Sequence, residues 1–281
     1  MTETPIHLND GQNRQAMRRF ENKVAIVTGA GCVGEGWGNG RAMAVRLAQE
    51  GAKVLAVDLE PERLAETLAR AGDAASAIVT CTCDVTQAAS VEAMVATCLD
   101  RFGTLDILIN NVGGSAKGGP IEMSEEVWDS QIDFNLKSIF LTCKYALPTM
   151  IAKRSGAIVN VSSTSGMRWT GSAQVAYAAT KAGVIQFSRV VAVQHAPDGI
   201  RVNTVVPGQL HTPMVEVRLA KQRTGGDVEG LLAQRQSRIP LGFMGDGRDT
   251  AGAALYLASE DARFVTGTEI VVDGGMIARC D

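Results

Sequence analysis

At 281 residues and 46% hydrophobic content, the chain can bury a sizeable core in one large α/β domain or two small ones. Its 27 basic and 30 acidic residues leave a formal charge of −3, with no basic block and no aromatic-interleaved basic stripe. That balance argues against nucleic acid or an anionic membrane as the main partner.

No apolar run reaches membrane-spanning length, and residues 1–20 lack the apolar segment of a signal peptide. Six cysteines are scattered along the chain, Cys81 and Cys83 being the nearest pair, with only three histidines to complete a metal site. Buried free thiols in a reducing cytoplasm are therefore expected, with neither disulfides nor a metal.

In chain order, residues 1–20 read as a loosely docked extension. Val24–Val27 is a short apolar run, as a buried parallel strand requires. A glycine-rich loop follows, then a helix from Gly40 to Glu50. Strands are expected over Lys53–Asp58, Ala77–Thr82 and Leu105–Asn110, alternating with helices over Glu60–Ala71 and Thr86–Arg101. Helices over Ser124–Lys153 and Tyr177–His195 flank a strand at Ala157–Val161, and further strands lie at Ile200–Val205 and Glu269–Val272. No linker interrupts this alternation, so 21–281 reads as one α/β domain: a Rossmann-like doubly wound parallel sheet in three α/β/α layers. Right-handed crossovers put the loops after the strands along one edge, where ligands bind.

The loop Thr28–Gly40 stands between a strand and a helix, the setting in which glycines bring backbone close to a pyrophosphate at a helix N-terminus. Asp58 ends the second strand, where a carboxylate can bind both ribose hydroxyls and repel a 2′-phosphate. Trp37, rather than a basic residue, precedes Gly38-Asn39-Gly40, and both features favour NAD. The turns Cys83-Asp84-Val85 and Asn110-Asn111-Val112-Gly113 lie at the same edge. Tyr177 and Lys181 are four positions apart on one helical face, so a fixed ammonium can favour the ionised phenol.

Taken together these residues resemble the short-chain dehydrogenase/reductase family, from Lys23 to about Met276. The landmarks follow in the family's order: Thr28-Gly29 with Gly38-Asn39-Gly40, Asp84-Val85, the Asn110–Gly113 turn, and Asn135. Ser163, Tyr177 and Lys181 come next, then Pro207-Gly208 with Thr212, and Asp273-Gly274-Gly275. Three departures stand out. Ala30–Trp37 supply eight residues where the family has three, Val112 replaces an alanine, and Ser163 lies 14 positions before Tyr177, one more than is common. Ser162 and Ser165 are the alternatives to Ser163, which is favoured because Gly166 follows it at the family's distance.

The resemblance implies that Tyr177 is the general acid/base of a hydride transfer between a secondary alcohol and NAD. Lys181 would assist Tyr177 and bind the nicotinamide ribose, Ser163 would hold the substrate oxygen, and Asn135 would hold a water behind Lys181. The cofactor would contact Gly29, Gly38, Asn39, Gly40, Asp58, Leu59, Asp84, Val85, Asn111, Gly113, Pro207, Gly208 and Thr212. Trp169, Gln174, Leu210 and Met214 would border the substrate, with Lys117 or Arg168 near a polar substituent and a lid at 209–239. A solvated role is expected for His211. An NADPH-dependent 3-oxoacyl reductase and a non-catalytic dinucleotide-sensing protein are the competing readings. The family also implies a homotetramer acting on a small molecule.

Overall fold

The computed structural model of the chain describes residues 18–219, 225 and 227–280. Residues 1–17 of the expected extension 1–20, residues 220–224 and 226 of the expected lid, and residue 281 lie outside the described residues. Seven strands form one parallel sheet: β1 (Val24–Thr28), β2 (Lys53–Asp58), β3 (Ile78–Thr82), β4 (Ile107–Asn110), β5 (Gly156–Val161), β6 (Ile200–Pro207) and β7 (Glu269–Val272). Their order is β3-β2-β1-β4-β5-β6-β7. Strand succession thus reverses between β1 and β4, and the crevice outside the carboxyl ends of strands at such a switch point is where ligands bind.

The helices are α1 (Asn39–Gln49), α2 (Glu62–Ala71), α3 (Ala88–Phe102), α4 (Glu125–Ile132), α5 (Ser138–Lys153), α6 (Val175–His195), α7 (Val228–Gln236) and α8 (Gly247–Ala258). Alternate residues of β1 point to opposite faces, as strand geometry dictates. Ala25 and Val27 pack in a core with α1, α2 and α8, while Val24 and Ile26 join one with α3, α5 and α6. Both faces are covered, which is why these strands read as unbroken Val/Ile/Leu runs.

Three differences from the sequence reading bear on the site. The stretch expected as one helix over Ser124–Lys153 is divided by a π-helical turn at Asp133–Lys137, centred on buried Asn135. The side-chain nitrogen of Asn135 donates to the Gln131 carbonyl, four residues back, within that widened turn. Second, α8 was absent from the sequence reading; a reciprocal capping box between Asp246 and Asp249 starts it. Third, Phe20 is buried in the core and Arg19 pairs with Glu50, so packed structure begins before the expected boundary at 21.

Candidate active site

The register Thr28↔Val57, Val27↔Ile109, Asn110↔Asn160 and Val161↔Val205 brings the carboxyl ends of the central strands level. The loops beyond them enclose a cavity of about 460 Å³. At its floor the first turn of α1 is uncapped by any side chain and carries no acidic residue. Gly38, Asn39 and Gly40 line the wall there. A Cβ on Gly40 would fall 2.0 Å from the Gly29 carbonyl oxygen, so only glycine allows this approach of loop to helix. Asn39 Oδ1 is buried with no hydrogen-bond partner among the described residues. Unsatisfied backbone N–H groups at a helix N-terminus suit a pyrophosphate, and an orphaned acceptor beside them suits a ribose hydroxyl. The residues present fit a dinucleotide.

At the next strand end Asp58, Leu59, Glu60 and Arg63 line the cavity. The Asp58 carboxylate accepts from Gly31 N at 3.0 Å and Glu60 N at 3.2 Å. Arg63 is held by Glu60 at 2.5 Å. Asp84 and Val85 continue the wall, Asp84 accepting from the Thr86 N–H and hydroxyl. Asn111 ties β4 to β1, its N–H donating to Thr28 Oγ1 and its side-chain nitrogen to the Gly29 carbonyl.

The eight residues of Ala30–Trp37 are knitted to α2. Arg41, only 1% exposed, donates to the carbonyls of Gly34 and Gly36 and pairs with Glu66 at 2.8 Å. Burial alone would raise the Glu66 carboxyl; the Arg70 hydrogen bond, the Gly36 N–H and Arg41 outweigh that and hold it below its ordinary range. Of this loop Gly31, Cys32 and Val33 reach the cavity wall.

Tyr177, Lys181 and Ser163 line the same cavity. Tyr177 stands in the first turn of α6, and Lys181 Nζ lies 5.8 Å from its ring centroid. Lys181 is 2% exposed and donates to the Val161 carbonyl at 2.9 Å. Burial pushes its pKa down to about 8. Of the three candidate serines, Ser162 is buried and donates to the Lys181 carbonyl, and Ser165 hydrogen-bonds Thr170 and Gln174. Ser163 Oγ accepts from Ser165 N, and its own O–H donates to no acceptor among the described residues.

Asn135 does not line the cavity. Its Oδ1 accepts from Gly114 N at 3.0 Å and its Nδ2 donates to Gly114 O at 3.1 Å, so it clamps the turn after β4 from behind. A Cβ on Gly113 would fall 2.8 Å from Lys181 Nζ and 3.0 Å from Asn135 Oδ1. That spacing shows how closely the turn and the lysine pack.

Beyond Tyr177 the wall includes Gln174, Leu210, Met214, Pro207, Gly208 and Thr212. Trp169, expected there, is 70% exposed and lies off the wall. Arg168 and Lys117 are likewise off the wall; Arg168 donates to the carbonyls of Ile277 and Arg279. His211 is exposed and pairs with Glu216. Thr170 and Arg235 also line the wall, neither of them singled out individually by the sequence. Nothing in local periodicity distinguishes them, since tertiary packing of α7 and the loop before α6 brings them in.

A family profile described as enoyl-(acyl carrier protein) reductase matches residues 34–277. The chain belongs to the short-chain dehydrogenase/reductase family. A crystal structure of a family member from Burkholderia xenovorans is 60% identical, with a TM-score of 0.90 over 94% of this chain and 99% of that one. The 2,5-dichloro-2,5-cyclohexadiene-1,4-diol dehydrogenase LinX of Sphingobium indicum is 38% identical over 92% of this chain and 97% of its own. The 3-oxoacyl-[acyl-carrier-protein] reductase FabG of Thermotoga maritima is also 38% identical, over 92% and 99%. As a short-chain dehydrogenase/reductase the chain is an oxidoreductase of a family that uses a nicotinamide dinucleotide. No helix among the described residues is long and apolar enough to cross a membrane.

Proposed function

We propose that this protein interconverts a secondary alcohol and a ketone by hydride transfer with NAD, Tyr177 serving as general acid/base. One observation carries the reading: Tyr177 and Ser163 open onto the same cavity as the uncapped first turn of α1. The pyrophosphate would lie on Gly38–Gly40, and the nicotinamide would reach Pro207, Gly208 and Thr212. When bound, the cofactor supplies the hydride acceptor. Tyr177 takes the hydroxyl proton, Ser163 donates to the same substrate oxygen, and Lys181 places a positive charge beside the phenol. Asn135 acts through the Gly113–Gly114 turn, as a positioning residue.

The preference for NAD rests on Asp58 at the adenosine end, together with Glu60, which occupies the one nearby lining guanidinium, Arg63. A 2′-phosphate would meet carboxylates rather than a free cation. Residues 21–281 serve as one functional unit, with the segment 209–239 as its lid. A cytoplasmic location agrees with six free cysteines. A homotetramer agrees with the exposed apolar side chains Phe140 on α5 and Val190 and Val193 on α6.

The second reading, an NADPH-dependent 3-oxoacyl reductase, is favoured by the likeness to the Thermotoga maritima enzyme. Secondary alcohols screened with NAD⁺ and NADP⁺, and ketones with NADH and NADPH, decide between them by absorbance of the reduced nicotinamide. Turnover with NAD that vanishes in Tyr177→Phe is expected. A clear preference for NADPH and acyl thioesters would replace the first reading with the second, and cofactor binding with no turnover at all would favour a sensing role.

A further inference from the structure

Besides Ser163 and Tyr177, the cavity wall carries a second pair of hydroxyls, Ser165 and Thr170. They come from two different segments. Ser165 belongs to the short turn Thr164–Gly166 that follows β5, and Thr170 to the loop that leads into α6. Gln174, only 6% exposed, joins them: its Nε2 donates to Ser165 Oγ at 2.7 Å and to Thr170 Oγ1 at 3.3 Å. The two hydroxyl oxygens are themselves hydrogen-bonded at 3.1 Å. The frame around this triangle is fixed on both sides. Ser165 N donates to Ser163 Oγ at 3.2 Å, which sets the second hydroxyl pair beside the hydroxyl assigned to the reacting oxygen. Opposite, Arg238 Nη1 donates to the Thr170 carbonyl at 3.0 Å, and Gly118 bonds Ala173 and Val175 through its main-chain N–H and carbonyl.

The triangle leaves one donor and one acceptor over. A hydroxyl offers one proton and two lone pairs. If Ser165 donates to Thr170, both lone pairs of Thr170 are filled, its proton is unassigned and one lone pair of Ser165 remains. If Thr170 donates instead, the roles exchange. Either way one O–H and one lone pair, on oxygens 3.1 Å apart, have no partner among the described residues, and both oxygens line the cavity. Holding the loop against the turn requires neither of them. A carbonyl or ether oxygen would use only the donor, and an N–H only the acceptor. A hydroxyl uses both at once.

We infer that the substrate carries a second hydroxyl, one or two carbons from the reacting carbinol and held by Ser165 and Thr170, so that the alcohol is a diol and the ketone a hydroxy ketone. This rests on the secondary-alcohol reading above and narrows it. In the reaction the C–H bond of one carbinol breaks with its electron pair passing to NAD⁺, and the hydroxyl proton of that carbinol goes to Tyr177. Its carbon–oxygen bond becomes a carbonyl, and the second hydroxyl is unchanged. Leu210, Met214 and Val215 supply apolar wall for the remaining carbon skeleton.

Matched sets test it, each with NAD⁺: butane-2,3-diol against butan-2-ol and 3-methoxybutan-2-ol, and pentane-2,4-diol against pentan-2-ol and 4-methoxypentan-2-ol. At least one diol should exceed both its monoalcohol and its ether in kcat/KM by about tenfold or more, as hydrogen bonds left unmade commonly cost. Ser165→Ala and Thr170→Val should each lower the favoured diol about tenfold, mostly through KM, and its monoalcohol by much less. Thr170→Ser, which keeps a hydroxyl, should retain most of the diol preference, and Ser165→Ala serves if the valine variant fails to fold. As a readout apart from turnover, the favoured diol should perturb the fluorescence of bound NADH, with which it cannot react, at lower concentration than its monoalcohol does. Monoalcohols or ethers turned over as well as diols, or equal losses for diol and monoalcohol in both variants, would overturn the hydroxyl assignment while leaving the oxidoreductase reading intact. Absence of any turnover or binding of diols, with turnover of other alcohols, would also overturn it. Failure of every alcohol and ketone would sink the underlying reading instead.

Discussion

Lys181 Nζ is anchored 2.9 Å from the main-chain oxygen of Val161, directly beneath the turn that carries Gly113. A neutral carbonyl directs the ammonium without offsetting its burial, so the pKa falls from 10.5 to about 8. The sign of the effect on stability follows from linkage. Below about 8 both folded and unfolded chains carry the proton, and the folded state bears the burial penalty in full. Between about 8 and 10.5 the unfolded chain holds a proton that the folded one has released, so stability rises with pH. Urea denaturation without cofactor, at intervals from pH 7.5 to 10.5, should show wild type gaining on Lys181→Met by at most roughly 3 kcal/mol across the window. A difference that does not change with pH would contradict this account.

Tyr177→Phe removes the phenolic oxygen and keeps the ring. The loss should fall on the proton-transfer step, lowering kcat by about 10²–10⁴-fold, while the dissociation constant for NADH changes little. Ser163→Ala should be the milder change, because it removes one donor to the substrate oxygen and leaves the acid/base in place. Single-turnover kinetics with NADH binding measured separately will separate these effects. Comparable weakening of NADH binding in both variants would mean a structural role.

Asp58→Asn tests the adenosine end. The carboxylate is placed by the N–H groups of Gly31 and Glu60, and its remaining acceptor capacity faces the cavity. Replacing it should weaken NADH about tenfold, since hydrogen bonds to charged groups contribute roughly 1.5–3 kcal/mol. NADPH should improve at the same time, as one carboxylate no longer faces its 2′-phosphate. Fluorescence titration of both cofactors reads the ratio; an unchanged ratio would move cofactor choice elsewhere on the wall.

The sheet was legible because its strands are covered on both faces and therefore read as continuous apolar runs, Val24–Val27 being the clearest. Tyr177 and Lys181 were legible because both stand on one helix at one-turn spacing. The carboxylate of Asp58 was legible from its place at a strand end. The π-turn at Asn135 was not, since it depends on hydrogen bonds to Gln131 and Gly114 rather than on a change in apolar period. Helix α8 was overlooked because small residues fill the buried face that packs on α1, although its Asp246/Asp249 box was there to be read. Trp169 was expected in the pocket as an apolar side chain of the loop before α6, and which side chains of a loop face inward follows no sequence period.

The anchoring of the inserted loop depends on contacts that no local pattern announces. Arg41 lies on α1, yet its partners are the carbonyls of Gly34 and Gly36, the Thr67 hydroxyl and the Glu66 carboxylate on α2. Glu66 in turn accepts from Gly36 N, and Thr67 donates to the Ala30 carbonyl, so both ends of the insertion are held. The loop also meets the first residues of the lid: a Cβ on Gly34 would stand 3.2 Å from Val217 and 3.3 Å from Pro213. Arg41→Met leaves these carbonyls and a partly buried carboxylate without the guanidinium. Because Glu66 keeps Arg70, the cost should be about 2–4 kcal/mol, at or just below that of breaking a fully buried pair. Arg41→Lys keeps the charge but gathers its donors on one atom and cannot reach these four separated partners together, so it should recover less than half of the loss. Beyond stability, NADH binding should weaken, because Gly31, Cys32 and Val33 form part of its wall. Limited proteolysis of the free enzyme should newly cut within 30–37 in Arg41→Met, with bound NADH slowing the cleavage. Wild-type resistance in that segment together with wild-type NADH affinity would show that the loop holds its shape without Arg41.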